Sequence, residues 1–527
     1  LRLGEAVVGL LAEHYGVDTV FGIPGVHNIE LYRGLHRFGV RAVSPRHEQG
    51  AGFMADGWSV VTGRPGVCTL ISGPGLTNAL TPMAQAFHDS RPMLVLAATT
   101  PTVALGKRFG PLHDLDDQAA IARTVTAFSE TVLDPAQVPV LVARAFEVFG
   151  SRRPRPVHLA FPTDLLELEV EPFVPLRSSS SRPTPAAAQV AEAARVLAAS
   201  SSPVIIAGGG AIDAGTALRS VAERLDAPVV LTGNAKGALA SSHPLCVGNA
   251  LVDPGVQTRI EAADVALVVG TELSDADLYN GGRALQFTGT VVRIDIDADQ
   301  LPRRVEPTLG IVADATAALD AIAAALPAAQ RGGTERAAEW RAVWRAGLPQ
   351  RFVPWLEALA AATPADAIVA LDSTQLAYSA HMSMPCEAPR SWLAPYGLGT
   401  LGCAVPMAIG AKIAAPQRPV VALAGDGGWL FTVAEMATAT DLGLGVVLVL
   451  WDNRGYAQIR QSFDDVDAPR MGVDVSSVDP EGIARGFGWG TTTVHSPDEL
   501  VTALRAALDA GTPHMVRVVV PASSGFH

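Results

Sequence analysis

The sequence predicts an α/β protein made of three consecutive open parallel-sheet domains, and three observations carry that expectation. Short runs of Val, Ile, Leu and Ala recur along the chain. Each ends in a turn bearing glycine or an acid and is followed by helical spacing, the pattern of strands buried on both faces of a parallel sheet. A chain of 527 residues with 49% apolar side chains exceeds what one core organises and points to about three domains. The stretch Glu171 to Pro185, with RSSSSRPTP in it, reads as a linker between two such series. The expected limits are 1–170, a linker at 171–185, a central domain at 186–335 and a third domain at 336–527.

In the first domain a helical pattern, Leu3 to His14, precedes the strand Thr19 to Phe21 and the turn Gly22 to Gly25, which is followed by His27. A second strand, Val40 to Ser44, runs into Arg46-His47-Glu48-Gln49 and a helix with small residues on one side, EQGAGFMADGWSVVTG. The third, Gly66 to Ile71, ends in Ser-Gly-Pro-Gly, and the fourth is Met93 to Ala97. Functional groups in such sheets belong just beyond the strand ends, where Glu48 lies. Glu48 also reads as a plain helix-start acid, and His47 as a strand-end histidine. The polar segment Gly106 to Ser129 gathers His113, Asp114, Asp116 and Asp117 before a helix, where acids serve as caps. Val157 to Ala160 closes the domain.

The central domain has strand patterns at Pro203 to Gly210, Val229 to Thr232, Val265 to Gly270 and Val291 to Asp297. Its GGGAIDAG lacks the GxGxxG spacing of a dinucleotide fingerprint. In the third domain Ala367 to Leu371 ends at Asp372-Ser373-Thr374-Gln375, and PYGLGTLGCAVPMAIG joins a glycine turn to a small-residue helix.

The stretch Pro419 to Arg460 carries the chemistry. A buried strand, Val420 to Ala424, delivers Asp426 within Gly425-Asp426-Gly427-Gly428. A helix from about Val433 to Thr440 leads to a second strand, Val446 to Leu450, which ends in Asp452-Asn453. Adjacent parallel strands place Asp426 and Asn453 on one edge, where a carboxylate, an amide carbonyl and a backbone carbonyl suit Mg2+ and leave positions for phosphate oxygens. Small residues let a diphosphate approach the backbone; a tight turn is the plainer account of GDG.

These motifs resemble a known family. RHEQGAGFMADG is similar to the HEQ-A-MADG segment of thiamine-diphosphate enzymes, GVCTLISGPGLTNAL to their SGPG-TN segment, and GDG followed by Asp452-Asn453 to their GDG…NN motif. The branch is that of acetolactate synthases, benzoylformate decarboxylase and related 2-oxo acid decarboxylases. The resemblance implies pyrimidine-binding, central and diphosphate-binding domains in that order. It makes Asp426, the Asn453 side chain and the Gly455 carbonyl the Mg2+ ligands, and Glu48 the partner of N1′ of the aminopyrimidine. Gln375 would lie near the diphosphate, the Gly399 carbonyl would accept from the 4′-amino group, and Leu401 would sit beneath the cofactor. Gly425, Gly427, Gly428 and Tyr456 complete the cofactor-binding set, and His27 and His113 join Glu48 as candidate catalytic residues. The first Asn of the pair is Asp452 here, an added negative charge near a phosphate.

The resemblance further implies a homodimer, or a tetramer of two dimers, with Glu48 facing another subunit. FAD is not expected, because the acetolactate synthase flavin segments are replaced by Val247-Gly248-Asn249-Ala250 and Glu272-Leu273-Ser274-Asp275. VFGIPGVHNIELYRGL, GPLHDLDDQ and GTELSDAD resemble the branch that decarboxylates 5-guanidino-2-oxopentanoate to an aldehyde and CO2. Acidic loop residues that could pair a guanidinium include Asp114 and Asp465, with Asp116, Asp117, Glu272, Asp275, Asp464 and Asp467. Acetolactate formation from pyruvate is the alternative, opposed by His113-Asp114-Leu115 in place of a Phe-Gln-Glu segment.

A net charge of −13 argues against nonspecific nucleic-acid binding. Cys68, Cys246, Cys386 and Cys403 are widely spaced, which reads as reduced thiols in a cytoplasmic protein. No signal segment and no apolar run of membrane length occurs in the sequence.

Overall fold

A computed structural model describes residues 1–176, 181–475 and 477–520; residues 177–180 of the expected linker lie outside the described residues. The apolar runs form three six-stranded sheets in which every strand pairing is parallel. The first sheet holds β1 (Thr19–Gly22), β2 (Arg41–Val43), β3 (Gly66–Leu70), β4 (Met93–Thr99), β5 (Phe128–Thr131) and β6 (Val157–Pro162), in the order β2-β1-β3-β4-β6-β5. The second holds β7 (Pro203–Ala207), β8 (Val229–Leu231), β9 (Cys246–Gly248), β10 (Val265–Val269), β11 (Thr290–Asp295) and β12 (Leu309–Val312), in the order β12-β11-β10-β7-β8-β9. The third holds β13 (Ile368–Leu371), β14 (Trp392–Leu393), β15 (Val420–Gly425), β16 (Val446–Asp452), β17 (Gly490–Val494) and β18 (His514–Val519), in the order β14-β13-β15-β16-β18-β17.

The first and third sheets therefore share one topology, whereas the second has the order of a dinucleotide-type sheet. In the first and third, the order reverses between the first and third strands of the sheet. Crevices at such reversals are where open sheets bind ligands. His27 follows β1 and Ser72 follows β3; Asp372 follows β13 and Asp426 follows β15.

One core joins these two sheets. Helix Glu48–Thr62 packs on helix Ala404–Ala414, with Phe53, Met54, Met407 and Ile409 fully buried between the domains. The small residues permit backbone contact. A Cβ on Gly57 would lie 2.2 Å from the Met407 carbonyl oxygen, and one on Gly410 would lie 2.0 Å from that of Met54. The second sheet has cores of its own on its two faces. Helix Gly333–Gly347 packs on one of them through Trp340 and Trp344.

The glycines of GGGAIDAG answer to packing. A Cβ on Gly208 would stand 2.3 Å from the Gly270 carbonyl oxygen, so the turn after β7 needs glycine to pass the end of β10. This turn borders a cavity of about 370 Å³ whose lining includes Arg153, Arg182, Glu272 and Asp275. Among the described residues no helix is long and apolar enough to cross a membrane. All four cysteines are buried and unpaired.

Candidate active site

The third sheet brings Asp426, Asn453 and Gly455 together. Gly425 pairs with Trp451 across β15 and β16, so the two strands end side by side and the residues after them share one edge. Asp426 is 3% and Asn453 3% exposed. The Gly455 N–H donates to Asp426 Oδ2 at 2.8 Å, and the Asn453 amide lies 3.1 Å from Gln375 Oε1. Gln375 is thus set against Asn453, at the start of helix Gln375–Ser383.

The amide atom of Asn453 that faces Asp426 stands 3.2 Å from Asp426 Oδ1 and 3.1 Å from the Gly455 carbonyl oxygen. As nitrogen it donates to both. As oxygen it joins Asp426 Oδ1 and the Gly455 carbonyl as a triangle of three acceptors that a cation would hold together. An octahedron with ligands at roughly 2.1 Å has edges of about 3.0 Å, close to both separations measured from the Asn453 amide. Among the described residues no group of three or more His, Cys, Asp or Glu side chains gathers to hold a metal. One carboxylate with two neutral oxygens fits Mg2+, which keeps phosphate and water ligands rather than an all-protein cage.

The surroundings fix this triangle. Gly455 has φ 119°, and Arg460 donates to the Asn453 carbonyl oxygen at 3.3 Å and to that of Arg454 while pairing with Asp474. Gly427 is required by the Tyr456 ring, which a Cβ would meet at 2.6 Å, and Gly425 by Thr374, at 2.8 Å. Gly428 is crowded by Asp372 and Leu401 at 3.3 and 3.4 Å. Protein packing thus accounts for glycine at 425 and 427 without a phosphate.

Asp452 is not a loose charge beside this edge. Its Oδ2 accepts from Arg517 Nε at 2.8 Å and Nη2 at 2.5 Å, and its Oδ1 accepts from the Arg454 N–H at 3.2 Å. The negative charge that replaces the usual Asn is compensated within the sheet.

Gly399 has φ 65° in an exposed turn, and its carbonyl accepts from Ser373 Oγ at 3.2 Å. Two residues on, Leu401 is half-buried. The fully buried Asp372 accepts from the Ser373 and Gly402 N–H groups, both at 2.8 Å, and so ties the end of β13 to this turn. Burial pushes the Asp372 carboxyl up to about 7.

On the first sheet Glu48 is 8% exposed, and its Oε2 accepts from Asn78 Nδ2 at 2.9 Å. The residues before it are held by the third domain: Glu435 accepts from the Arg46 N–H at 3.1 Å and the His47 N–H at 3.0 Å. Desolvation raises the Glu435 carboxyl. His47 has a plain structural duty, its Nδ1 accepting from the Gln49 N–H at 3.1 Å as the helix cap. Sequence reasoning missed Asn78, Asp372 and Glu435. Asn78 lies within the SGPG-TN segment and Asp372 at a strand end, but neither position says what the side chain bonds.

His27 and His113 meet at the first sheet's reversal. Their rings are edge to face with centroids 5.1 Å apart, and His27 Nδ1 is 2.6 Å from Ser72 Oγ. Desolvation, then the proximity of His113, lowers the His27 pKa. His113 has φ 65°, and its buried Nδ1 has no partner in the protein.

Most of the acidic loop residues have partners. Asp116 pairs with Arg108, Asp117 caps helix Gln118–Arg123, Asp464 pairs with Arg470, Asp275 with Arg304, and Glu272 with Arg153 and Arg155. Asp114 accepts from Thr100 Oγ1 at 3.2 Å and the Gly110 N–H at 3.3 Å. Asp465 is exposed and accepts from Gln461 at 2.8 Å; Asp467 is exposed.

Residues 1–121, 190–322 and 372–518 match, in turn, the N-terminal TPP binding, central and C-terminal TPP binding domains of thiamine pyrophosphate enzymes. A Pseudomonas aeruginosa protein described as a probable 2-ketoarginine decarboxylase is 44% identical over 516 residues, which cover 96% of this chain and 92% of that protein. The acetolactate synthase isozyme 3 large subunit of Escherichia coli K12 is 32% identical over 535 residues, covering 96% and 92%. The isozyme 1 large subunit is 29% identical over 542 residues, covering 98% and 94%.

Proposed function

The chain belongs to the thiamine pyrophosphate enzyme family, and from that premise we propose that it decarboxylates 5-guanidino-2-oxopentanoate, the compound also called 2-ketoarginine, to the aldehyde and CO2. It is a thiamine-diphosphate-dependent enzyme acting on a 2-oxo acid. The single observation that carries the substrate is the 44% identity to the probable 2-ketoarginine decarboxylase over nearly the whole of both chains, against 29% and 32% for the two acetolactate synthase subunits.

Thiamine diphosphate, when bound, supplies the electron sink for loss of CO2 from the 2-oxo acid. The residues present fit it. Asp426, Asn453 and the Gly455 carbonyl would hold the Mg2+ that anchors the diphosphate, with Gln375, Gly425, Gly427, Gly428 and Tyr456 shaping that edge. Glu48, oriented by Asn78, would hold and move the proton at N1′. The Gly399 carbonyl would take the 4′-amino group and Leu401 would support the ring system. His27 and His113 stand as proton carriers at the substrate, and the lowered pKa of His27 favours its neutral, proton-accepting form.

The charge argument for a guanidinium rests on Asp114 and Asp465, with Asp467 beside them, since the other five acids are held by ion pairs or a helix cap. A second copy of the chain is proposed to bring the Glu48 face to the Asp426 edge. Exposed Val26, Phe109, Leu112, Phe431, Val466 and Met471 support an interface there, being apolar residues that a partner would cover. Four buried thiols support a reducing, cytoplasmic setting.

The test is CO2 release measured in parallel from the guanidino 2-oxo acid, its uncharged straight-chain analogue and pyruvate, with aldehyde and acetohydroxy acid products separated. Preference for the guanidino acid with aldehyde as product is expected. Preference for pyruvate with acetolactate as product would reject the reading, and equal use of the charged and uncharged long-chain acids would reject the role of Asp114 and Asp465.

A further inference from the structure

The turn Pro395–Thr400 is exposed at residues 397–399 yet held from below by the first domain of the same chain. Asp89 Oδ1 accepts from the Gly397 N–H at 2.9 Å. Gln85 Oε1 accepts from Thr400 Oγ1 at 2.9 Å and from the Thr400 N–H at 3.4 Å. Gln85 Nε2 donates to Asp89 Oδ2 at 2.6 Å, which joins the two supports into one unit. Both side chains are buried, Gln85 completely.

This unit is braced on its far side. Asn234 of the central domain donates to Asp89 Oδ1 at 3.1 Å, and Arg91 lies 3.4 Å from Asp89 Oδ2 while bonding Asp56 and the Ala394 carbonyl oxygen, the latter at 2.9 Å. The contact is close, since a Cβ on Gly397 would fall 2.5 Å from His88 Cβ. Glycines at 397 and 399 would leave the turn soft if nothing gripped it. Here both flanks of Gly399 are fixed by a carboxamide and a carboxylate that have no part in the metal edge.

We propose that Gln85 and Asp89 are positioning residues for the cofactor: they fix the Pro395–Thr400 turn so that the Gly399 carbonyl is preset as an acceptor for the 4′-amino group. This rests on the cofactor reading above. Ser373 Oγ satisfies one lone pair of that carbonyl, and the second lone pair remains for the amino donor. The turn then contributes to binding only through a group that the cofactor's amino nitrogen can reach, which gives the proposal a chemical signature.

Oxythiamine diphosphate carries an exocyclic 4′-oxo group in place of the 4′-amino group, and that oxygen cannot donate to the Gly399 carbonyl. Dissociation constants for thiamine diphosphate and oxythiamine diphosphate, each with Mg2+, are to be measured by calorimetry on the full chain and on Gln85→Leu and Thr400→Val. The parent should prefer thiamine diphosphate. Gln85→Leu should reduce that preference by roughly 3- to 10-fold, the worth of one hydrogen bond, with oxythiamine diphosphate binding unchanged. Thr400→Val removes one hydroxyl contact, serves if Gln85→Leu fails to fold, and should move the preference the same way by a smaller factor. An unchanged preference in the folded variants, or equal weakening of both ligands, overturns the proposal by showing a purely structural role. A parent that binds neither ligand overturns the cofactor reading itself.

Discussion

Replacing Asp452 with the Asn that the family's motif carries should destabilise this chain. The carboxylate is 3% exposed, accepts two hydrogen bonds from Arg517 at 2.8 and 2.5 Å, and faces a guanidinium that is itself 18% exposed. Removing one partner of a buried ion pair costs about 3–5 kcal/mol, because the other charge is left uncompensated. Two features reduce that figure: an Asn oxygen still accepts one bond, and Glu481 Oε2 lies 3.9 Å from Arg517 Nη1. About 2 kcal/mol is the expected loss, or roughly 4–8 °C in the unfolding midpoint of a domain of this size. Asp452→Asn, Arg517→Met and the double variant should be compared by circular dichroism melting. The double variant should recover most of the loss, giving a coupling of about 1–3 kcal/mol. A single Asp452→Asn variant as stable as the parent would refute the claim that Arg517 neutralises Asp452. Mg2+ affinity should be unchanged in Asp452→Asn, since the charge it removes is already compensated.

Two further outcomes follow from packing and burial. Gly410→Ala, which in a free helix would gain about 1 kcal/mol of helix propensity, should instead cost about 3 kcal/mol, because its Cβ would meet the Met54 carbonyl 2.0 Å away; a urea midpoint equal to or above the parent's would contradict it. His158 is fully buried on β6, with Nδ1 2.7 Å from Ser129 Oγ and Nε2 without a partner in the protein, and burial pushes its pKa down to about 3. The unfolded chain takes up a proton near pH 6.5 that the native state refuses, so this stability is present above that pH and lost as pH falls toward 3. His158→Asn should therefore lose roughly 2–3 kcal/mol less than the parent between pH 7 and 4.5, and parallel acid limbs in thermal melts would refute it.

Apart from the edge strand β2, exposed at Arg41 and Ala42, the strands legible in the sequence are buried on both faces, where the chain writes an unbroken apolar run. Of the strands that the periodicity did not reveal, β5, β9, β12 and β17 lie at sheet edges, where half-solvated positions admit Glu130, Gly248, Gly310 or a row of threonines, and the edge strand β14 is buried but only two residues long. The interior strand β18 is disguised by His514 and by Arg517, whose charge is tolerated because Asp452 on β16 meets it. Neither half of that pair shows its partner locally. The same holds for the site. Asp426 and Asn453 were legible because each follows its own strand directly, whereas Glu435 and Asp89 act across domain boundaries on backbone N–H groups and Gln85 on both the hydroxyl and the N–H of Thr400, contacts that carry no sequence signature. The shared strand order of the first and third sheets was likewise invisible, since topology is set by pairing rather than by residue type.

The central claim is that Glu48 and the Asp426–Asn453–Gly455 edge act on one bound thiamine diphosphate, and the most direct measurement is C2 hydrogen exchange of that cofactor in the parent and in Glu48→Gln. Both proteins should show saturable, Mg2+-dependent binding by calorimetry. Exchange in Glu48→Gln should be slower by about 10²–10⁴-fold, the usual worth of a general acid–base group. Equal exchange rates in the two proteins, or no saturable binding by the parent, would contradict the account.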